Sequence, residues 1–171
     1  MKTTIFLFHP NLKESRANAA LIKDTNIEVR DIYALYPDGN IDVKAEQNAL
    51  TKTDRIVWQF PMYWFSGPSL LKKWQDLVLE HGWAYGHEGH ALDGKELMLA
   101  VTVGASKKEY RVGGKQGHTI NEYLFPMTRT AKYTRMKILN PFIVDGVFRI
   151  RDSELMSEAQ RYHQILNDPN Y

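Results

Sequence analysis

The chain contains no cysteine. That excludes disulfides, thiolate catalysis and cysteine-ligated metal, and it fits a reducing cytoplasm. No apolar run approaches the ~20 residues that a membrane-spanning helix requires. The opening MKTTIFLFHP has too short an apolar stretch, and no small-residue cleavage site, for a signal peptide, so it reads as a first strand. Neither sign of charge predominates: the net value is +2, with lysines and arginines interleaved with acids. The most basic stretches, Lys107–Arg111 and Arg129–Lys137, are short and interrupted, so nucleic acid is not expected as a partner. Repeats, low-complexity tracts and Pro/Gly/Ser linkers are missing too, which leaves one domain over 1–171. Neither a Walker loop nor GxGxxG occurs, so a tightly held Rossmann dinucleotide is not favoured.

What is present is an alternation of strand and helix patterns. Thr3–Phe8, Ile27–Ile32, Arg55–Phe60, Lys95–Val103 and Lys137–Val144 read as strands, the third stopped by Pro61. Between them, Ser15–Lys23, Val43–Thr53, Pro68 to about Glu80, and Thr119–Tyr133 read as helices, with Pro126 a blemish in the last. Ser15 is placed to cap the first helix, and Gly82 to end the one that begins at Pro68. Ser153–Leu166 reads as a closing helix with Ser153 as its cap; Met156 is a poor capping-box partner, but Glu154 and Glu158 stand nearby. Five strands alternating with helices imply an α/β fold with a parallel sheet covered on both faces. Ligands of such sheets bind beyond the carboxyl ends of the strands.

Three strand-following loops carry unusual chemistry. In HPNLKESRAN a strand leads in and a helix leaves, so helix N–H groups, with His9, Ser15 and Asn18, could hold a phosphate. PMYWFSGP sets Pro61, Met62, Tyr63, Trp64 and Phe65 directly after a buried strand, where a flat amphipathic ring would find apolar cover and backbone donors. Packing of the same aromatics against the next helix or a dimer partner is the plain structural alternative. In the third loop, Thr102, Val103, Gly104 and Ala105 let backbone approach a ligand closely, and Gly104 could help stabilise negative charge developing on it. Tyr110 is a hydrogen-bond donor nearby. His81, His87 and His90 cluster near Glu88, but their spacing is not that of HExxH and glycines flank them; they are read as shaping a loop at the rim of the site, with no metal.

Taken together, HPNLKESRAN, FPMYWFSGPSLLKKW, HGWAYGHEGHALDGKEL, TVGASKKEYRVGG and NPFIVDG resemble the flavodoxin-like NAD(P)H dehydrogenase (quinone) family. The likeness is to its bacterial members, namely ancillary oxidoreductases of glutathione-gated potassium efflux and general-stress quinone reductases. It runs in order from about Thr3 to Val147. The resemblance implies a three-layer sandwich around a five-stranded sheet of order 2-1-3-4-5. It also implies FMN, with the phosphate near His9, Ser15, Ala17 and Asn18, and the ring against Pro61–Phe65 and Thr102–Ala105. Further implications are a cytoplasmic homodimer with its sites at the subunit interface, and a ping-pong reaction. In that reaction NADH or NADPH delivers a hydride to the flavin, then a quinone or another planar acceptor takes it, the flavin carrying the chemistry. Larger animal members carry a catalytic Tyr followed six residues on by His. Here Tyr110 is followed by Gln116 in that place, so His118 is the substitute candidate for proton transfer. Bacterial members often have a His after PPF, where this chain has Asp145. The chain lacks the C-terminal extension of FAD-binding members, which favours FMN over FAD. An electron-transfer flavodoxin, and a regulatory subunit peripheral to a potassium-efflux membrane protein, are the competing readings.

Overall fold

A computed structural model describes residues 1–171. At its centre is a parallel sheet of β1 (Thr3–Leu7), β2 (Glu28–Asp31), β3 (Arg55–Pro61), β4 (Glu96–Thr102), β5 (Lys137–Ile138) and β6 (Phe142–Val144). The order is β2-β1-β3-β4-β5, with β6 also paired to β4. β1, β3 and β4 are buried along nearly their whole length, which is why they read as continuous apolar runs rather than alternating ones. The expected single fifth strand over Lys137–Val144 is two pieces, both parallel to β4. Asn140 and Pro141 separate them, and proline cannot donate to a ladder. Pro61, expected to stop β3, is instead its last residue, opposite Thr102.

The helices are α1 (Arg16–Ile22), α2 (Ile32–Leu35), α3 (Val43–Thr51), α4 (Ser69–Val78), α5 (Ile120–Tyr123), α6 (Phe125–Tyr133) and α7 (Asp152–Asn167). Their starts are fixed by side chains that accept orphan amides. Ser15 Oγ accepts from Asn18 N at 3.1 Å, Asp42 from Ala45 N at 2.9 Å, and Asp31 from Ala34 N at 3.1 Å, the last starting the unforeseen α2. Thr119 and Glu122 form a reciprocal capping box. The helix expected over Thr119–Tyr133 breaks at Leu124, and Pro126 takes its place at the start of α6, where its missing N–H costs nothing. The helix begun after Pro68 ends at Val78, before Gly82, which serves a later turn with φ +78° and donates its N–H to Tyr85 O. At α7 the reciprocating acid is Glu154, which accepts from Arg151 N at 3.0 Å, so the cap lies at Arg151 rather than Ser153.

Strand alternation divides the core between the two faces. Phe6, Phe8, Trp58, Phe60 and Trp74 lead the larger cluster, under α3, α4 and α6. Ile5, Leu7, Val57, Met98, Ala100 and Tyr162 lead the smaller one, under α1 and α7. At the amino ends of the strands, fully buried Arg55 donates to Glu96 at 2.7 Å and to the carbonyls of Ile165 and Asp168 at 3.1 and 2.8 Å. That grip ties the end of α7 to the sheet. The carboxyl ends stay clear for a ligand.

Candidate active site

Beyond the carboxyl ends of β1, β3 and β4 lies a cavity of about 480 Å³, within the range of small-molecule sites. His9, Ser15, Ala17 and Asn18 line one side of it; Pro61, Met62, Tyr63, Thr102 and Gly104 line the other. Residues from all three anticipated loops therefore line one cavity, the second and third on the same side. The register explains this: Pro61 pairs with Thr102, and Met62 N donates to Thr102 O at 2.8 Å.

The first loop is built for an anion. Asn11 N donates to His9 Nδ1 at 3.1 Å, so in the neutral ring the proton sits on Nε2 as a free donor. Burial lowers the pKa of His9 from its ordinary 6.5, and the charge of Asp31 partly opposes this. Asn18 N is spent on Ser15 Oγ, while the amides of Arg16 and Ala17, the first two of α1, make no bond within the protein. The Arg16 guanidinium is drawn away, donating to Ile150 O and to Asp152, each at 2.7 Å. Exposed Glu14 is the one acid on the lining. The side chain of Asn18 is buried and turned into the fold, toward Gln59 and Thr102.

Trp64, Phe65, Val103, Ala105, Tyr110 and His118 lie outside this cavity. Val103 belongs to the core under α4 and α6. Trp64 is 93% exposed, and both it and Phe65 have positive φ, +48° and +62°. Mutual backbone bonds between Tyr63 and Ser66, at 2.8 and 3.0 Å, close a two-residue turn of the kind usually given to Asn-Gly. Phe65 packs on Tyr123 with ring centres 4.8 Å apart; Tyr110 and His118 meet the same ring edge-on at 6.2 and 5.9 Å. His118 also pairs with Glu122 at 3.4 Å. Burial, with Tyr123 and Glu109 adding, raises the Tyr110 pKa above the ordinary phenol value. Tyr110 lines a separate cavity of about 320 Å³ with Thr119 and Ile143.

Tyr123 was not foreseen as the hub of this rim. Its place within a helical pattern gave no hint of contact with two distant loops. Nor was the turn after β6, which hydrogen-bonds to the third loop through Val147 N to Val103 O at 3.2 Å, Gly146 N to Ala105 O at 3.0 Å, and Lys107 N to Asp145 at 2.6 Å. That turn sets Phe148 against Gly104, where a Cβ would lie 2.3 Å from the ring. The histidines of residues 81–90 do not rim the cavity. His90 bonds to Asp93 at 2.8 Å and His81 packs on Tyr85, and no three acids or histidines gather in metal-binding geometry.

Comparison with known proteins places this geometry. A family model described as the flavodoxin-like fold matches residues 1–166. The chain is 44% identical to the NAD(P)H oxidoreductase YrkL of Bacillus subtilis (strain 168), over 94% of this chain and 95% of the relative. It is 45% identical to the glutathione-regulated potassium-efflux system ancillary protein KefF of Klebsiella aerogenes, over 96% and 94%. The crystal structure of general stress protein 14 from Treponema denticola in complex with FMN superposes with a TM-score of 0.92 at 40% identity, covering 98% of each chain. With its strand order, its cavity at the carboxyl ends and these relatives, the chain belongs to the flavodoxin-like family, in the company of NAD(P)H oxidoreductases.

Proposed function

We propose that the protein is an FMN-dependent NAD(P)H oxidoreductase that reduces quinones, and by the same route other planar acceptors such as nitroaromatic or azo compounds. The observation that carries this is the shared cavity. A cluster of free donors, His9 Nε2 and the amides of Arg16 and Ala17, stands at one side of a space bounded on the other by Pro61, Met62, Tyr63, Thr102 and Gly104. A relative with 40% identity holds FMN in the same fold.

When bound, FMN would supply two-electron chemistry, with hydride accepted from NADH or NADPH and passed to the acceptor. The chain's own part is positioning and electrostatics. His9, Ser15 and the first turn of α1 would hold the phosphate. Pro61, Met62 and Tyr63 would cover the ring, and the unbonded amides of Gly104 and Ala105 would meet negative charge as it develops. Tyr110, a neutral phenol at neutral pH as any tyrosine is, would donate to the reduced acceptor, with His118 beside it on Tyr123. Donor and acceptor would use one slot in turn, giving ping-pong kinetics. The exposed aromatics Trp64, Phe65 and Phe125 suit a homodimer whose second copy completes that slot.

An absorbance spectrum of the purified protein before and after adding FMN, followed by anaerobic NADH or NADPH, tests this. Flavin bands that bleach with nicotinamide are expected. A protein that neither takes up FMN nor oxidises NAD(P)H overturns the reading. The KefF relative supports a second one, an ancillary subunit of a potassium-efflux protein at the inner face of the cell membrane. Co-purification with such a membrane partner would favour it.

A further inference from the structure

Along β3 and β4, the residues facing α1 and α7 change character as the strands approach the cavity. Val57 is followed by Gln59, and Met98 and Ala100 by Thr102. Gln59, Thr102, Asn18 of α1 and Tyr162 of α7 are all at most 3% exposed. A polar layer at this depth is costly unless every group finds its partner. Here the partners form one chain. Tyr162 Oη lies 3.0 Å from Gln59 Oε1; Gln59 Nε2 lies 3.2 and 3.3 Å from Asn18 O and Oδ1; Asn18 Nδ2 lies 2.9 Å from Thr102 Oγ1.

The direction of each bond is forced. Asn18 O is a backbone carbonyl and can only accept, so the Gln59 atom facing it must be the amide nitrogen. Gln59 therefore turns its oxygen to Tyr162, which must donate. Asn18 Oδ1, already accepting from Gln59, leaves the Asn18 amide nitrogen to donate to Thr102. The Thr102 hydroxyl is an acceptor in that bond, and its own proton has no acceptor within the protein. Thr102 lines the cavity between the phosphate loop and Gly104.

We infer that Tyr162 and Gln59 are positioning residues. They orient Asn18 so that Thr102 presents a hydrogen-bond donor to an acceptor oxygen of the cofactor's ribityl-phosphate chain. The inference rests on the FMN reading above. It explains why this face of the core ends in amides and hydroxyls when apolar side chains would pack the same space.

The test is a set of FMN dissociation constants from flavin fluorescence quenching, measured well below each variant's unfolding temperature. Thr102→Val should weaken FMN binding about 5-fold, the worth of one net hydrogen bond. Thr102→Ser should recover most of that loss, since it restores the hydroxyl. Gln59→Leu should weaken binding by a similar factor, and the double variant Gln59→Leu/Thr102→Val should be no weaker than the worse single one, because both act through one donor. Losses that multiply in the double variant, or a Thr102→Val protein that binds FMN like the wild type, would overturn the relay and leave the FMN reading standing. Failure of the wild type itself to take up FMN would overturn the reading beneath it.

Discussion

The two ends of the site are built in opposite ways. At the proposed phosphate end, Asn18, Gln59, Thr102 and Tyr162 are buried and joined in one hydrogen-bonded chain that leaves only the Thr102 proton free, and Arg16 is clasped to Ile150 and Asp152. At the proposed acceptor end, Trp64 is 93% exposed, Phe65 packs on Tyr123, Tyr110 and His118 meet the same ring edge-on, and two bulky residues hold a backbone conformation that L side chains avoid. Preorganisation lies where FMN would sit in the proposed function, and the end that would admit and release substrates is left open.

The largest expected effect breaks the pinned end. Gln59→Leu leaves Asn18 Oδ1 and the Tyr162 hydroxyl buried without partners, a loss of about 3 kcal/mol that should lower the melting temperature by roughly 6–12 °C. Thermal unfolding followed by circular dichroism reads it directly; an unchanged midpoint would show that this end is not held by its polar layer. Next comes the open end. Replacing the strained pair, Trp64→Asn with Phe65→Gly, gives the turn the residues its backbone prefers. That should raise apoprotein stability by about 1 kcal/mol while raising the acceptor KM about 10-fold through lost aromatic contact. A fall in stability would mean that the strain is already relieved by packing.

This contrast also marks what could be read from the residues alone. The buried strands and the capped helix at Ser15 declare themselves through continuous apolar runs and a start signal, and the first loop follows from them. The sheet order and the cofactor came from resemblance across separated blocks, not from periodicity. The relay stayed hidden because its members come from four elements far apart in sequence, each an ordinary residue in its own strand or helix. The hub at Tyr123 stayed hidden for the same reason. The split of the last strand was legible in hindsight at Asn140-Pro141, where ladder bonding has to lapse.

A smaller effect sharpens the comparison at the rim. Tyr110→Phe removes a hydroxyl donor, so quinone reduction should slow about 5-fold while FMN stays bound, since Tyr110 lies outside the larger cavity. Steady-state turnover together with the flavin content of the purified variant checks both halves. Flavin lost along with activity would move Tyr110 from the open end to the cradle.

The smallest effect concerns His9, and it tests whether the cradle is set before any ligand arrives. Burial lowers the folded-state pKa of His9 below its ordinary 6.5, so as pH falls the unfolded chain takes up a proton first. The stability that neutral His9 contributes is whole above about pH 6.5 and is lost progressively below it, until the folded ring also protonates. The same protonation would take Nδ1 from its bond with Asn11 N. Urea unfolding of the apoprotein between neutral and mildly acidic pH should therefore show a decline that His9→Asn, which cannot titrate yet can still accept from Asn11 N, lacks. Equal declines in the two proteins would mean that the loop around His9 relaxes freely on protonation, and the phosphate end would then be less preorganised than its hydrogen bonds imply.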